Sequence, residues 1–282
     1  MKKFSVVIPS DRSDYLYKLL KDFEEQEYSL DDVEILIIGG SDLDFIEDFK
    51  GAEFSVEHIE YRGGASSARN KGIEASDGEY LIFLDDDVRL KKNFLEKCEE
   101  YVDDFSAFCF RVEGPRSTFL EKLFLGKLVS SFGIILSGFE VEKDEVLEVS
   151  HFPGCCFVAS REAIGSVRFD EYFEEGNGYL DDTDFTFSIG RKGYSLKFVP
   201  FYSVKHEMGE GGYRVDEYSG WLYYFWNHKS YFVEKHSGRA FLWLGFLFSF
   251  FEFLYISLMK RNLFSKELIE GWLDGWLGEH RY

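Results

Sequence analysis

Three consecutive aspartates, Asp85-Asp86-Asp87, end the apolar run that includes Phe83-Leu84. Carboxylates are hard oxygen ligands suited to Mg²⁺ or Mn²⁺, and such an ion neutralises a diphosphate. The same acids could instead form a solvated turn or a helix cap. Their place at a strand exit favours a binding site, because α/β sheets bind ligands beyond the carboxyl ends of their strands. A second acidic group, Asp181-Asp182-Thr183-Asp184, follows Phe169-Asp170-Glu171. Asp182 is a candidate general base: an acceptor hydroxyl must lose its proton as it attacks, and a carboxylate can take it. The alternative is an N-cap, with Asp182 or Thr183 opening a helix from Phe185. One acid can cap while another takes the proton. His206 follows an apolar run ending at Val204 and precedes the glycine-rich stretch Glu207–Tyr213. It is a candidate further metal ligand, set against a purely structural histidine.

These residues need a scaffold, and the flanking patterns supply one. Short apolar runs at Phe4–Pro9, Val33–Ile38 and Tyr80–Leu84, and the alternating pattern of Phe54–Ile59, predict strands. Helical spacing at Tyr15–Phe23, Ser66–Ala75 and Lys91–Tyr101 predicts helices between and after them. Such alternation implies a mostly parallel sheet covered on both faces. Residues 105–205 are less regular. There, Phe119–Ser137 is amphipathic or apolar, Gly154–Ser160 and Ser195–Pro200 predict strands, and Phe185–Lys192 predicts a helix. Tyr218–Lys235 predicts an aromatic helix, and 238–282 an apolar helix with a short tail. Glu207–Tyr213 is expected to be a mobile loop, able to act as a lid over a bound ligand.

Composition narrows the function. The 282 residues are 45% hydrophobic and 30% charged, so a sizeable core is expected and wholesale disorder is not. The net charge of −20 makes a general nucleic-acid binder a poor fit, because phosphate attraction needs a basic face. A metal-bridged phosphate ligand remains compatible with it. The four cysteines are too few for a disulfide scaffold and include no C-x-x-C pair, so a reducing compartment is expected. The opening apolar run ends at Ser10-Asp11-Arg12, too short for a signal peptide.

Four segments together resemble one family. They are Ser5-Val6-Val7-Ile8-Pro9-Ser10, Ala68-Arg69-Asn70-Lys71-Gly72 within Gly64–Ile73, Leu84-Asp85-Asp86-Asp87, and Asp181-Asp182-Thr183-Asp184-Phe185. In this order and spacing they resemble the motifs of family 2 glycosyltransferases over residues 4–235. The resemblance implies an α/β GT-A fold: a Rossmann-like, mostly parallel central sheet flanked by helices, here with a C-terminal apolar helical extension. It implies a nucleotide-sugar-binding half over 1–104, an acceptor-binding and catalytic half over 105–237, and an apolar segment over 238–282. The reaction implied is an inverting transfer of a sugar from a nucleotide-diphosphate-sugar donor to a hydroxyl of a glycan or lipid-linked acceptor, aided by Mn²⁺ or Mg²⁺. Asp182 would be the base. Asp87, Asp85 and His206 would hold the metal. Pro9, Ser10, Asp11, Gly39, Asp42, Arg69, Asp85 and Asp86 would line the nucleotide-sugar site.

The sequence departs from the family pattern twice. Gly39-Gly40 stands where an Asp pair is usual, so the side chain that often binds the nucleobase is missing. Backbone groups, Asp42 or another residue must replace it, and the glycines suggest room for a larger base such as guanine. Ser10-Asp11-Arg12 also lacks the usual aromatic beside the base. A catalytically silent sugar-binding or scaffold protein is the alternative function; a nucleotidyltransferase lacks its basic glycine-rich loop here.

The apolar stretch Ala240–Met259 carries one charge, Glu252, and is flanked by Lys235, Arg239, Lys260 and Arg261. Three environments fit it: a membrane span, an interfacial helix, or packing on this domain or a second copy in a homodimer. A charge in mid-span costs about 3 kcal/mol on insertion scales. These patterns place the chain in the cytoplasm, with peripheral contact at the membrane face through 240–259.

Overall fold

The computed structural model describes residues 3–40, 44–49, 55–114, 119–207, 218–259 and 266–277. Strand β1 (Phe4–Pro9), helix α1 (Ser13–Glu24), β2 (Val33–Gly39), β3 (Ser55–Glu60), α2 (Ala65–Ala75) and β4 (Tyr80–Leu84) form the first layer set. β2, β1 and β4 are parallel neighbours, with Phe4 opposite both Val33 and Tyr80. β3 extends the parallel set beyond β2. Alternate side chains enter different cores. Val6, Ile8, Ile35, Ile37, Ile82 and Leu84 pack toward α1, while Val7, Leu36, Ile38 and Phe83 pack in the second cluster. Strands buried on both faces read as unbroken apolar runs, which is why β1, β2 and β4 were legible, whereas the edge strand β3, with no buried side chain, showed only as an alternation.

The chain then crosses to the other side of β4. Here β5 (Val88–Arg89), α3 (Phe94–Val102) and β6 (Ala107–Glu113) are followed by α4 (Phe119–Leu123) and a hairpin of β7 (Leu128–Val129) and β8 (Ile134–Ile135). β9 (Leu147–Val149), β10 (Cys156–Ser160), α5 (Arg161–Ile164), α6 (Asp181–Arg191) and β11 (Leu196–His206) complete the domain. The sheet order is β3-β2-β1-β4-β10-β6-β11-β5, with β9 on β11. β10 runs antiparallel between β4 and β6, whereas β11 is parallel to β6. Strands from both sides of residue 104 therefore share one sheet.

Several expectations change here. Phe119–Ser137, expected only as amphipathic or apolar, is a one-turn helix and a small hairpin. The strand expected over Ser195–Pro200 continues to His206, with a register shift between Val199 and Ser203. Pro200 has no N–H to give the ladder, so the strand bulges there and resumes. The helix expected from Phe185 starts at Asp181, and its N-cap is Leu180 in the left-handed region (φ 76°), with no side-chain cap. Neither Asp182 nor Thr183 caps it. Asp42 and the glycine-rich residues after Glu207 lie outside the described residues.

The C-terminal expectation of one helix and a tail is also corrected. α7 (Tyr218–Ser237), α8 (Leu242–Met259) and α9 (Lys266–Leu277) form a helical unit. Trp226 and Val233 of α7, Phe253 of α8 and Trp276 of α9 make its core. Glu252 pairs with Lys229 of α7, which satisfies the charge within the protein. Asp184 of α6 binds Lys235 and His236 at 2.7 Å each, tying α7 to the sheet domain. Among the described residues no helix is long and apolar enough to cross a membrane.

Candidate active site

β1 leaves the sheet with α1 on one face, and the order reverses between β1 and β4. That reversal opens a crevice at the strand ends, where α/β sheets bind ligands. A cavity of about 730 Å³ lies there. Its walls include Pro9, Ser10, Asp11, Arg12, Arg69, Asp85, Asp86, Asp87, Asp182 and His206. The fold thus gathers most of the expected residues from five separate elements and their exits. Gly39 abuts this wall rather than lining it.

The three aspartates have different partners. Asp85 accepts a hydrogen bond from Arg69 Nη2 at 2.8 Å, and the same guanidinium gives Nη1 to Asp181 Oδ2 at 2.7 Å. Arg69 is buried on α2 and also lies over the Phe169 ring. Asp86 faces the other way. Its Oδ2 accepts from Ser10 Oγ at 2.6 Å and Arg12 Nε at 3.1 Å, and its Oδ1 from Arg12 Nη2. Burial pushes its carboxyl above the usual range despite these bonds. Asp87 Oδ2 lies 3.2 Å from Arg12 Nη2, and Asp87 Oδ1 lies 3.0 Å from His206 Nε2. The continuation of β11 past Pro200 carries His206 there: His206 pairs with Val88, and the Glu207 N–H bonds the Asp87 carbonyl at 2.9 Å.

Asp85, Asp87 and His206 each bring one ligand atom to within 4.8 Å of the others. Two carboxylates and an imidazole suit a hard divalent ion. Asp182 stands at the start of α6. Burial, then the charge of Asp181, pushes its carboxyl up to about 7. Its Oδ1 accepts the Thr183 N–H at 2.8 Å. Its Oδ2 faces Gly154, where a Cβ would stand only 2.9 Å away. A carboxylate that titrates near neutrality can both take and hold a proton at working pH.

Two site features were missed from sequence. Arg12 bridges Asp86 and Asp87, and Glu174 accepts the Ser67 N–H at the start of α2. The signal for Arg12 was present: three adjacent acids leaving a buried strand require a nearby counter-charge. The partner of Glu174 had no local signal. His151, also in the cavity wall, is held low at about 4 by burial and is therefore neutral.

The mixed sheet thus carries, in one crevice at its switch point, a carboxylate–histidine group and the raised carboxyl of Asp182. Residues 5–168 match the profile of Glycosyl transferase family 2, and the chain belongs to that family. Among curated relatives, the poly(ribitol-phosphate) β-N-acetylglucosaminyltransferase TarP of Staphylococcus aureus is 32% identical over 108 residues, 36% of this chain and 33% of TarP. The GalNAc(5)-diNAcBac-PP-undecaprenol β-1,3-glucosyltransferase of Campylobacter jejuni is 26% identical over 187 residues, 61% of this chain and 56% of that protein. These matches span well under two thirds of either relative. Among solved structures, S. aureus TarS 1-349 in complex with UDP-GlcNAc superposes with a TM-score of 0.65 at 15% identity, covering 97% of this chain and 79% of that one. The mannosyltransferase PcManGT from Pyrobaculum calidifontis, in complex with GDP-Man and Mn²⁺, gives 0.62 at 15% identity over 98% and 88%. At these identities the likeness is one of fold.

Proposed function

We propose that the chain transfers a sugar, with inversion, from a nucleoside-diphosphate donor to a hydroxyl of a glycan or lipid-linked acceptor. The observation that carries this is the near-neutral Asp182 sharing one cleft with Asp85, Asp87 and His206. Asp85, Asp87 and His206 would hold Mn²⁺ or Mg²⁺. When bound, the ion supplies positive charge for the departing diphosphate. Asp182 Oδ2 takes the acceptor proton as the hydroxyl attacks the anomeric carbon from the face opposite the diphosphate, which is what inverts that centre. Arg69 fixes Asp85 and Asp181 in place, so neither acid must reorganise during transfer. Ser10, Asp11 and Arg12 form the wall on the β1 side, where the nucleoside would lie. The two structural neighbours were solved in complex with UDP-GlcNAc and with GDP-Man, which supports a nucleoside-diphosphate-sugar donor.

Residues 1–104 would bind the donor and 105–237 the acceptor. Membrane-face attachment in the cytoplasm is supported by the exposed apolar side chains of 119–124 and α8, including Phe119, Leu123, Trp243 and Phe251. Phe132 and Phe248 join these two surfaces, with ring centroids 4.5 Å apart. A second copy could cover the same face.

The test is Asp182→Asn. Transfer, followed as release of nucleoside diphosphate with acceptor present, should fall about 10²–10⁴-fold. Donor binding measured by calorimetry should persist. Transfer at the original rate in the variant overturns the assignment.

A further inference from the structure

Gly39 ends β2 beside the exit of β1. A Cβ on it would stand 1.7 Å from the Ser10 carbonyl oxygen, well inside contact distance. No side chain fits there while the two strand ends keep this approach. The glycine therefore opens no extra room on that side, contrary to the expectation of space for a larger base, because the Ser10 carbonyl already fills it.

The polar groups at this corner are largely committed. The Gly39 carbonyl accepts the Tyr61 N–H at 2.9 Å, and the Gly40 N–H donates to Asp11 Oδ1 at 2.7 Å. That second bond anchors the Asp11 carboxylate against the β2 exit. Asp11 Oδ1 lies 3.2 Å and 3.1 Å from where Cβ atoms on Gly39 and Gly40 would be. Asp11 Oδ2 has no partner among the described residues, and the side chain is exposed on the cavity wall. The other cleft aspartates sit on the far side of β1, on Arg69, Arg12, His206 or the start of α6. Asp11 is thus a fixed acceptor beside β2, displaced by one strand from the diphosphate-binding group.

We propose that Asp11 selects the nucleobase of the donor, its Oδ2 accepting the ring N–H of uracil or guanine. The claim rests on the proposed donor reading and adds the residue that sets base choice. A carboxylate only accepts hydrogen bonds. It pairs with bases that carry a ring N–H next to a carbonyl. It meets a ring-nitrogen lone pair on cytosine or adenine, which repels it.

The experiment is calorimetric titration of the full chain with UDP, GDP, CDP and ADP in the presence of Mn²⁺, with pyrophosphate as the base-free control. The wild type should favour UDP or GDP over CDP and ADP by about tenfold or more, the value of one hydrogen bond to a charged group. Asp11→Asn and Asp11→Ala should erase that preference while pyrophosphate binding holds within about twofold. A wild type that prefers UDP or GDP, with variants that keep the same preference, overturns the role of Asp11 and leaves the donor reading standing. A wild type with no base preference overturns it as well. A wild type that binds none of the four nucleotides overturns the donor reading itself.

Discussion

Arg69 and Arg12 each grip two aspartates at the rim of the cleft, from opposite sides and under different conditions. Arg69 is buried on α2 and joins the β4 exit to the start of α6. Its side chain and that of Asp181 are only 6% and 7% exposed, so neither charge has water to fall back on. Arg12 follows β1, is 19% exposed, and joins Asp86 to Asp87 beside the candidate metal ligands. One arginine is a structural tie between distant parts of the chain. The other is itself partly exposed but neutralises two aspartates that are only 3% and 2% exposed. Burial, more than the number of bonds, sets what each pair contributes.

Substitutions should separate the two. Arg69→Met leaves Asp181 buried without its partner and should cost about 3–5 kcal/mol of stability, read from denaturant unfolding. A loss as small as that of a surface ion pair would break the contrast. Arg12→Gln should cost less, about 1–3 kcal/mol, because its amide can still donate to the buried Asp86, and its cost should shrink as salt rises, since the Arg12 side chain itself is partly exposed and screened. Equal salt dependence at both positions would remove the distinction.

Asp182 sharpens the comparison because neither arginine holds its carboxylate. Burial and Asp181 raise its pKa in the folded chain to about 7, while an unfolded aspartate titrates near 3.9. Between those values the folded state binds more protons than the unfolded one. This group's contribution to stability is therefore greatest below about pH 4 and declines as pH rises toward 7. Asp182→Asn should lack that decline and unfold at a higher temperature than wild type at pH 8. Transfer by the wild type should rise through neutral pH as the base ionises. A pH-independent difference in melting temperature between the two proteins would refute the shifted carboxyl.

The parallel half was readable because its signal is local. Phe4–Pro9, Val33–Gly39 and Tyr80–Leu84 are buried on both faces, so each is an apolar run with a polar exit, and Asp85-Asp86-Asp87 is one of those exits. The Asp181–Asp184 group was likewise visible as residues, though not as the first turn of a helix, because Leu180 enters it from the left-handed region without a side-chain cap. The antiparallel half was harder. Ala107–Glu113 pairs with β10 and β11, partners far along the chain, and drew no strand assignment within a stretch read as irregular. Pro200 hid the rest of β11, since a ladder that bulges around a proline looks like one that ends.

From the linear order of residues alone came the α/β class, the acidic exit after the fourth strand, and Asp182 and His206 as candidates for a base and a metal ligand. Those readings depend on periodicity and residue chemistry, which neighbours in the chain decide. Tertiary structure alone decided that Arg12 shares Asp87 with His206, that Arg69 binds Asp85 to Asp181, and that Ser10 closes the space beside Gly39 while Asp11 reaches it. Each joins residues that no local pattern links, and only the packing of β1 between β2 and β4 brings them within a hydrogen bond of one another.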